Sequence, residues 1–151
     1  MSQKVINIKN KKASYEYDFN DKFVAGIMLK GTEIKSIRNN EANMSDSYCI
    51  FTDNELWLKN LHISEFKGAG TDNHDPKRPR KLLLNRQELY KIHKKVKTKG
   101  MTIIPIRLFI NEKGKAKIEI TIAKGKKIFD KRESIKERDN KRKLDKIIKD
   151  R

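Results

Sequence analysis

Between Ile104 and Ile122 apolar residues recur at every second position on both sides of a short polar stretch. Ile104, Ile106, Leu108 and Ile110 precede Asn111–Gly114, and Ala116, Ile118, Ile120 and Ile122 follow it. A period of two held this long specifies strands, because successive side chains of a strand point to opposite faces. The polar stretch between the runs makes them a hairpin with one apolar face. Two strands alone are not stable in water, so that face must be covered by further strands or helices. Pro105 cannot donate to a ladder, which puts its strand at an edge or gives it a bulge there.

The rest of the chain offers such partners. Tyr15, Tyr17 and Phe19 alternate with Glu16 and Asp18, and Phe23, Ala25, Ile27 and Leu29 alternate beyond Asn20-Asp21, which predicts a second hairpin. Tyr48–Thr52 and Leu56–Lys59 flank Asp53-Asn54 and predict a third. Residues 32–38 change to helical spacing, with Ile34 and Ile37 three apart behind a Thr32 cap and Asn39-Asn40 at the end. Residues 67–80, KGAGTDNHDPKRPR, hold two glycines, two prolines and almost nothing apolar, and read as a loop. Asn85 then caps a helix in which Glu88 can reach back to the cap N–H. Leu84 and Leu89 are spaced as a hydrophobic staple, Ile92 and Val96 extend the buried stripe, and Gly100 stops it. Six to eight short strands with small helical insertions predict a mainly β fold, a closed or nearly closed β-barrel.

After Ala123 this patterning ends. Residues 124–151 hold 13 Lys/Arg against 6 Asp/Glu, a net +7, with apolar residues too scattered to dock on a barrel. Pairs such as Glu137–Lys141, Asp139–Lys143 and Asp145–Lys149 favour helix by about 0.2–0.5 kcal/mol each. The expectation is two parts: a barrel domain over 1–123, and a basic tail over 124–151 that is disordered when free and helical on a polyanion.

Charge then narrows the function. The 151 residues carry a formal +17, with 38% charged and 36% hydrophobic residues. Such an excess gathers polyanions, nucleic acid first among them, while a membrane surface would want the basic residues beside an apolar helical face. The start, MSQKVINIKNKKA, has no apolar stretch of a secretory signal, and no run of about 18 apolar residues exists to cross a bilayer. Cys49 is the one cysteine, so neither a disulfide nor a thiolate zinc cluster can form within the chain. A cytoplasmic protein is expected.

Catalysis finds little support. His62, His74 and His93 stand singly, and Glu33, Glu41 and Asp46 form no compact carboxylate signature of a metal-dependent nuclease. Phosphate-cradling glycine loops and zinc-finger spacings are absent. What remains are basic and aromatic clusters: Asn10, Lys11 and Lys12 ahead of Tyr15, Lys35 and Arg38 three apart on one helix face, and Lys77, Arg78, Arg80 and Lys81 in a proline-fixed loop. A cation can hold a phosphate while an aromatic ring stacks on an unpaired base. Each cluster can equally be solvated surface, and Tyr17 barrel core.

Five blocks in order carry a resemblance: NKKASYEY (10–17), AGIMLKGTEIKSIR (25–38), EANMSDSY (41–48), HDPKRPRKLLLN (74–85) and AKGKKIFDKRESIKER (123–138). Along nearly its whole length the chain resembles the small protein B (SmpB) family, the SsrA-binding proteins of bacteria. The resemblance implies an oligonucleotide-binding-type closed β-barrel with inserted helices and a C-terminal tail unstructured in isolation. It implies binding to the tRNA-like domain of transfer-messenger RNA and delivery of that RNA, charged with alanine, to stalled ribosomes. The barrel would stand in for the codon–anticodon stem, and the tail would become helical in the decoding centre and empty mRNA path. Elongation factor Tu would join through the charged RNA, the protein would act as a monomer, and no catalytic residue, metal or cofactor is implied.

By family position, Asn10, Lys12, Arg78, Arg80 and Lys81 are the implied RNA contacts, with Lys11, Tyr15, Lys35 and Arg38 added from their chemistry. In the tail, Lys124, Gly125, Lys126, Lys127, Asp130, Lys131, Arg132, Lys136 and Arg138 are the implied ribosome contacts, with Ile147 and Ile148 as an apolar anchor. Three positions depart from the family pattern. Ser14-Tyr15 stands where many members have Arg-His, Val24 where some carry a glutamate implicated in RNA binding, and Phe129 where the tail motif often has histidine. The competing expectation is a general RNA-binding or ribosome-associated barrel protein with no preference for transfer-messenger RNA.

Overall fold

The structure, a computed structural model, describes residues 6–97 and 100–125. Its elements in chain order are β1 (Asn7–Lys9), α1 (Lys11–Glu16), β2 (Tyr17–Ile27), α2 (Gly31–Arg38), β3 (Ala42–Asn43), β4 (Tyr48–Thr52), β5 (Glu55–Lys59), β6 (His62–Ile63), β7 (Arg80–Leu83), α3 (Arg86–Val96), β8 (Met101–Ile110) and β9 (Ala116–Gly125). A short 3₁₀ turn lies at Lys67–Ala69. Strands β8, β4, β5, β7, β2 and β9 pair in that order, and β9 pairs back to β8, so the sheet closes into the expected ring. β1 pairs with β8 at Arg107–Phe109, beyond the Cys49–Ile103 pairing of β4, and β3 and β6 form a separate two-stranded sheet. Every pairing is antiparallel.

The β9 half of the closing hairpin is built as its alternation predicts, with Ile118, Ile120 and Ile122 fully buried. Burying each such side chain contributes about 1.5–3 kcal/mol. The Asn111 side chain accepts the Lys113 and Lys115 N–H groups across the turn, and Gly114 takes the positive φ the turn requires. In β8 the ladder slips by one residue between Pro105 and Arg107, the bulge that proline demands. The slip changes faces: Ile103 and Leu108 enter the main core, whereas Ile104 packs outside it with Ala13 and Ala123. The expected single apolar face over Ile104–Ile110 is therefore corrected.

Two other expectations are corrected. Asn20-Asp21 is a bulge and not a turn, because β2 continues through it along β9, its register stepping from Phe19–Ala123 to Lys22–Thr121. The buried Thr121 hydroxyl donates to the Asn20 and Asp21 carbonyls at 3.4 and 3.0 Å, which satisfies the kinked backbone. Tyr15 and Glu16, expected in one strand with Tyr17 and Phe19, instead end α1, whose Ala13 packs with Ile104 and Ala123 beneath Tyr17 and Phe19. The Asp53-Asn54 hairpin and the Asn85 helix follow the sequence. Asp53 and Asn54 both have positive φ, as a two-residue type I′ loop needs, and the Asn85–Glu88 capping bonds form at 2.8 and 3.4 Å. Helices α2 and α3 close the core with Ile37 and Ile92, both fully buried. Among the described residues no helix is long and apolar enough to cross a membrane.

Candidate RNA interface

The loop expected as an arginine platform is tied to α2 from below. Glu33, fully buried, accepts from the Lys30 N–H at 2.8 Å, so the helix is capped by this carboxylate and not by Thr32. Its other partners are the Arg78 guanidinium on Oε1 and the Arg80 Nε–H on Oε2, each at 2.5 Å. Arg80 also donates to the Leu61 and Pro76 carbonyls. Burial pushes the Glu33 carboxyl up, but the Lys30 N–H and the two guanidinium groups outweigh it and hold it below the usual carboxylate range. Thr32 instead meets Nδ1 of buried His74 at 2.9 Å, while His74 Nε2 donates to the Ile63 carbonyl at 2.9 Å. His74 thereby fastens the loop to the β6 end.

This arrangement separates the loop's cations. Arg80 is fully buried with its charge matched, so the side chain expected to reach RNA is a strut of the loop. Arg78 keeps a partly exposed face while binding Glu33. Lys77 is exposed, and Lys81, at the outer surface of β7, pairs with Glu55 at 2.8 Å. On α2, Lys35 lies 5.3 Å over the Phe66 ring, and Arg38 is exposed without an ion pair among the described residues.

The N-terminal cluster sorts the same way. Asn10 is buried: its side chain accepts the Ala13 N–H at 3.2 Å and donates to the Met44 and Pro105 carbonyls at 3.2 and 2.8 Å. It is the cap of α1 and its weld to the ring, in place of the expected base or phosphate contact. Lys11 and Lys12 are exposed on the first turn, Lys12 with Asp46 at 3.1 Å, and Tyr15 is half-buried on the same helix.

The structure adds a surface that the sequence reading missed. On β2 the side chains of Ala25 and Ile27 point inward, which sends Val24, Gly26 and Met28 to the outer face. Neighbouring β7 presents Lys81 and Leu83 there, β9 presents Lys117, and β5 presents Trp57, paired with Lys81. Val24, Leu83 and Met28 are about half exposed, at 49%, 49% and 52%. Gly26 keeps this strip flat, since a Cβ there would stand 3.2 Å from Leu83 Cβ and 3.7 Å from Lys117 Nζ. Arg78 reaches the Met28 carbonyl at 3.5 Å, so strip and arginine loop are continuous. The signal was present in the sequence as apolar residues on the outward phase of strands whose other phase is already core.

The described residues singled out as candidates for catalysis have other surroundings. Burial pushes the Cys49 thiol up, away from the reactive thiolate. His93 packs edge-on against Phe51 at 5.0 Å, and Asp46 serves Lys12. The described residues contain no cluster of His, Cys, Asp or Glu able to hold a metal ion. Lys124 and Gly125 are exposed at the end of β9, whereas Lys126, Lys127, Asp130, Lys131, Arg132, Lys136, Arg138, Ile147 and Ile148 lie outside the described residues, as does Phe129.

Comparison with known proteins covers nearly the whole chain. The family model described as SmpB protein matches residues 7–150. An SsrA-binding protein of Cytophaga hutchinsonii is 57% identical over 95% of this chain and 94% of its own, and one of Phocaeicola vulgatus 55% identical over 95% and 96%. One from Rhizobium etli is still 44% identical over 99% and 96%. Among solved structures, a chain from "tmRNA-SmpB: a journey to the center of the bacterial ribosome" superposes with a TM-score of 0.72 at 38% identity, covering 86% of this chain and 94% of that one.

Proposed function

This chain belongs to the SmpB protein family, and from that membership we propose that it is the RNA-binding adaptor of a ribosome-rescue system and not an enzyme. Its ring domain binds the tRNA-like domain of transfer-messenger RNA and carries it to stalled ribosomes. There the domain takes the place of the codon–anticodon stem, and residues 126–151 enter the decoding centre and the empty mRNA path. Elongation factor Tu joins through the charged RNA, and the protein acts as a monomer in the cytoplasm.

The observation that carries this reading is identity above 50% to SsrA-binding proteins across 95% of the chain. The outer strip of Val24, Met28 and Leu83, edged by Lys81, Lys117 and Arg78, supports it physically. A flat apolar surface bordered by cations suits the bases and backbone of a folded RNA elbow. Arg80 and Asn10 enter as positioning residues: one holds the loop that carries Arg78, the other the helix that carries Lys11 and Lys12.

The test is equilibrium binding, at near-physiological salt, to the tRNA-like domain, an ordinary tRNA and an unstructured RNA of equal length. A preference for the first that persists as salt rises is the expected result. Equal affinities that fall together with salt would leave only the +17 charge acting. The general RNA-binding reading would then replace this one.

A further inference from the structure

We propose that the cleft between α3 and β2 is a second RNA contact, which stacks one unpaired base on Tyr90 and holds its flanking phosphates with Lys22, Lys91 and Lys94. The observation is an aromatic ring left largely in solvent. Leu89, Ile92 and Val96 face the core, so Tyr90 points away from it, and its exposure of 69% exceeds that of every other large apolar side chain described. The ring stands at a cleft of about 920 Å³ whose opposite wall is β2, with half-buried Phe23 as a second aromatic surface. Four lysines line the cleft against one aspartate, and that aspartate, Asp21, is already paired with Lys95. Lys22, Lys91 and Lys94 make no ion pair among the described residues.

An exposed ring between unpaired cations fits a ligand that offers a π-face and two anionic groups within a few ångströms, which is a nucleotide in a single strand. An acidic peptide would use the lysines and leave the ring idle. The cleft adjoins the surface proposed for the tRNA-like domain along β2, where Lys22 precedes Val24 by two residues, but it uses a different set of residues: Arg78, Lys81, Leu83 and Lys117 do not line it. It therefore stands independently of that assignment.

The experiment titrates an eight-nucleotide single-stranded RNA carrying a central 2-aminopurine with the full chain. Wild type should quench the fluorescent base, and Tyr90→Phe, which keeps the ring, should do the same. Tyr90→Ala should lose the quench and about tenfold in affinity. Lys91→Gln with Lys94→Gln should keep the quench at saturation while flattening the log–log salt slope by about 0.7 for each phosphate no longer held. Unchanged quenching and affinity in Tyr90→Ala would overturn the proposal. Displacement of the RNA by polyglutamate as readily as by unlabelled RNA would also overturn it, in favour of an acidic protein segment. Preference for the tRNA-like domain is measured in parallel. A Tyr90→Ala chain that keeps that preference and loses the quench supports this cleft alone, and loss of the preference in wild type counts only against the adaptor reading.

Discussion

A carboxylate shut away from water must find all its partners inside the protein, and Glu33 finds them in one backbone N–H and two arginines. Removing one member of a buried pair costs about 3–5 kcal/mol, because the other charge is left uncompensated. Glu33→Gln should therefore lower the unfolding free energy by roughly that amount, read from urea midpoints at neutral pH. The pH dependence has a definite sign. A carboxyl whose folded pKa is depressed stabilises fully above its unfolded value, about 4.3, and that stability is lost as pH falls through the lower folded value. The gap between wild type and Glu33→Gln should thus be widest at pH 7 and shrink on acidification below about pH 4.3. A gap independent of pH would mean that the two arginines are not held by charge. Arg80 shows where residue-level reading of a sequence stops. Its guanidinium suits RNA by chemistry, but its partner lies 47 residues earlier in the chain, and nothing local distinguishes a buried strut from an exposed contact.

Elements were legible where local signals agreed with one another. The β8–β9 hairpin, the β4–β5 hairpin and the Asn85-capped helix each combined periodicity with turn or cap chemistry, and each forms as expected. Misreadings arose where a tertiary partner decided the matter. The alternation of Tyr15, Tyr17 and Phe19 imitates a strand, yet Asn10 caps residues 11–16 as helix because its amide also reaches Met44 and Pro105, 34 and 95 residues away. The Asn20-Asp21 pair has turn chemistry but serves a bulge, since β9 is long enough to pair on both sides of it. The outer strip was missed because outward-phase residues look like noise until the ring shows which phase is core. Asn10→Ala tests the element-level account. It removes a helix cap worth about 0.5–2 kcal/mol and leaves two carbonyls without their donor, at about 1 kcal/mol each. The expected outcome is a loss of about 2–4 kcal/mol in stability with an unchanged salt slope for RNA binding at temperatures where the variant is folded. A flattened slope with full stability would return Asn10 to the contact surface.

At the scale of the molecule, β9 carries the ring past the boundary that composition marks. It closes the ring by pairing with both β2 and β8, and its last registers, Gly125 with Tyr17 and Lys124 with Asp18 and Met101, lie beyond the composition boundary at Ala123. A cut at 123 would strip paired residues from the closing strand, so a truncation that spares the ring ends at Gly125 and removes 126–151. That segment holds 12 Lys/Arg against 6 Asp/Glu, a net +6, which leaves +11 of the total +17 on residues 1–125. Charge of this kind acts on any polyanion through counterion release, whereas an apolar strip bordered by Lys81, Lys117 and Arg78 acts only on an RNA whose shape meets it. Ending the chain at Gly125 should therefore weaken binding to unstructured RNA strongly and flatten its salt dependence. Binding to the tRNA-like domain should fall only a few-fold, so the ratio of the two affinities rises. In the same preparation, release of stalled ribosomes should be lost, because the segment proposed for the mRNA path is gone. If the truncated chain instead bound the tRNA-like domain no better than unstructured RNA, recognition would reside in residues 126–151, and the outer strip of the ring would have no part in it.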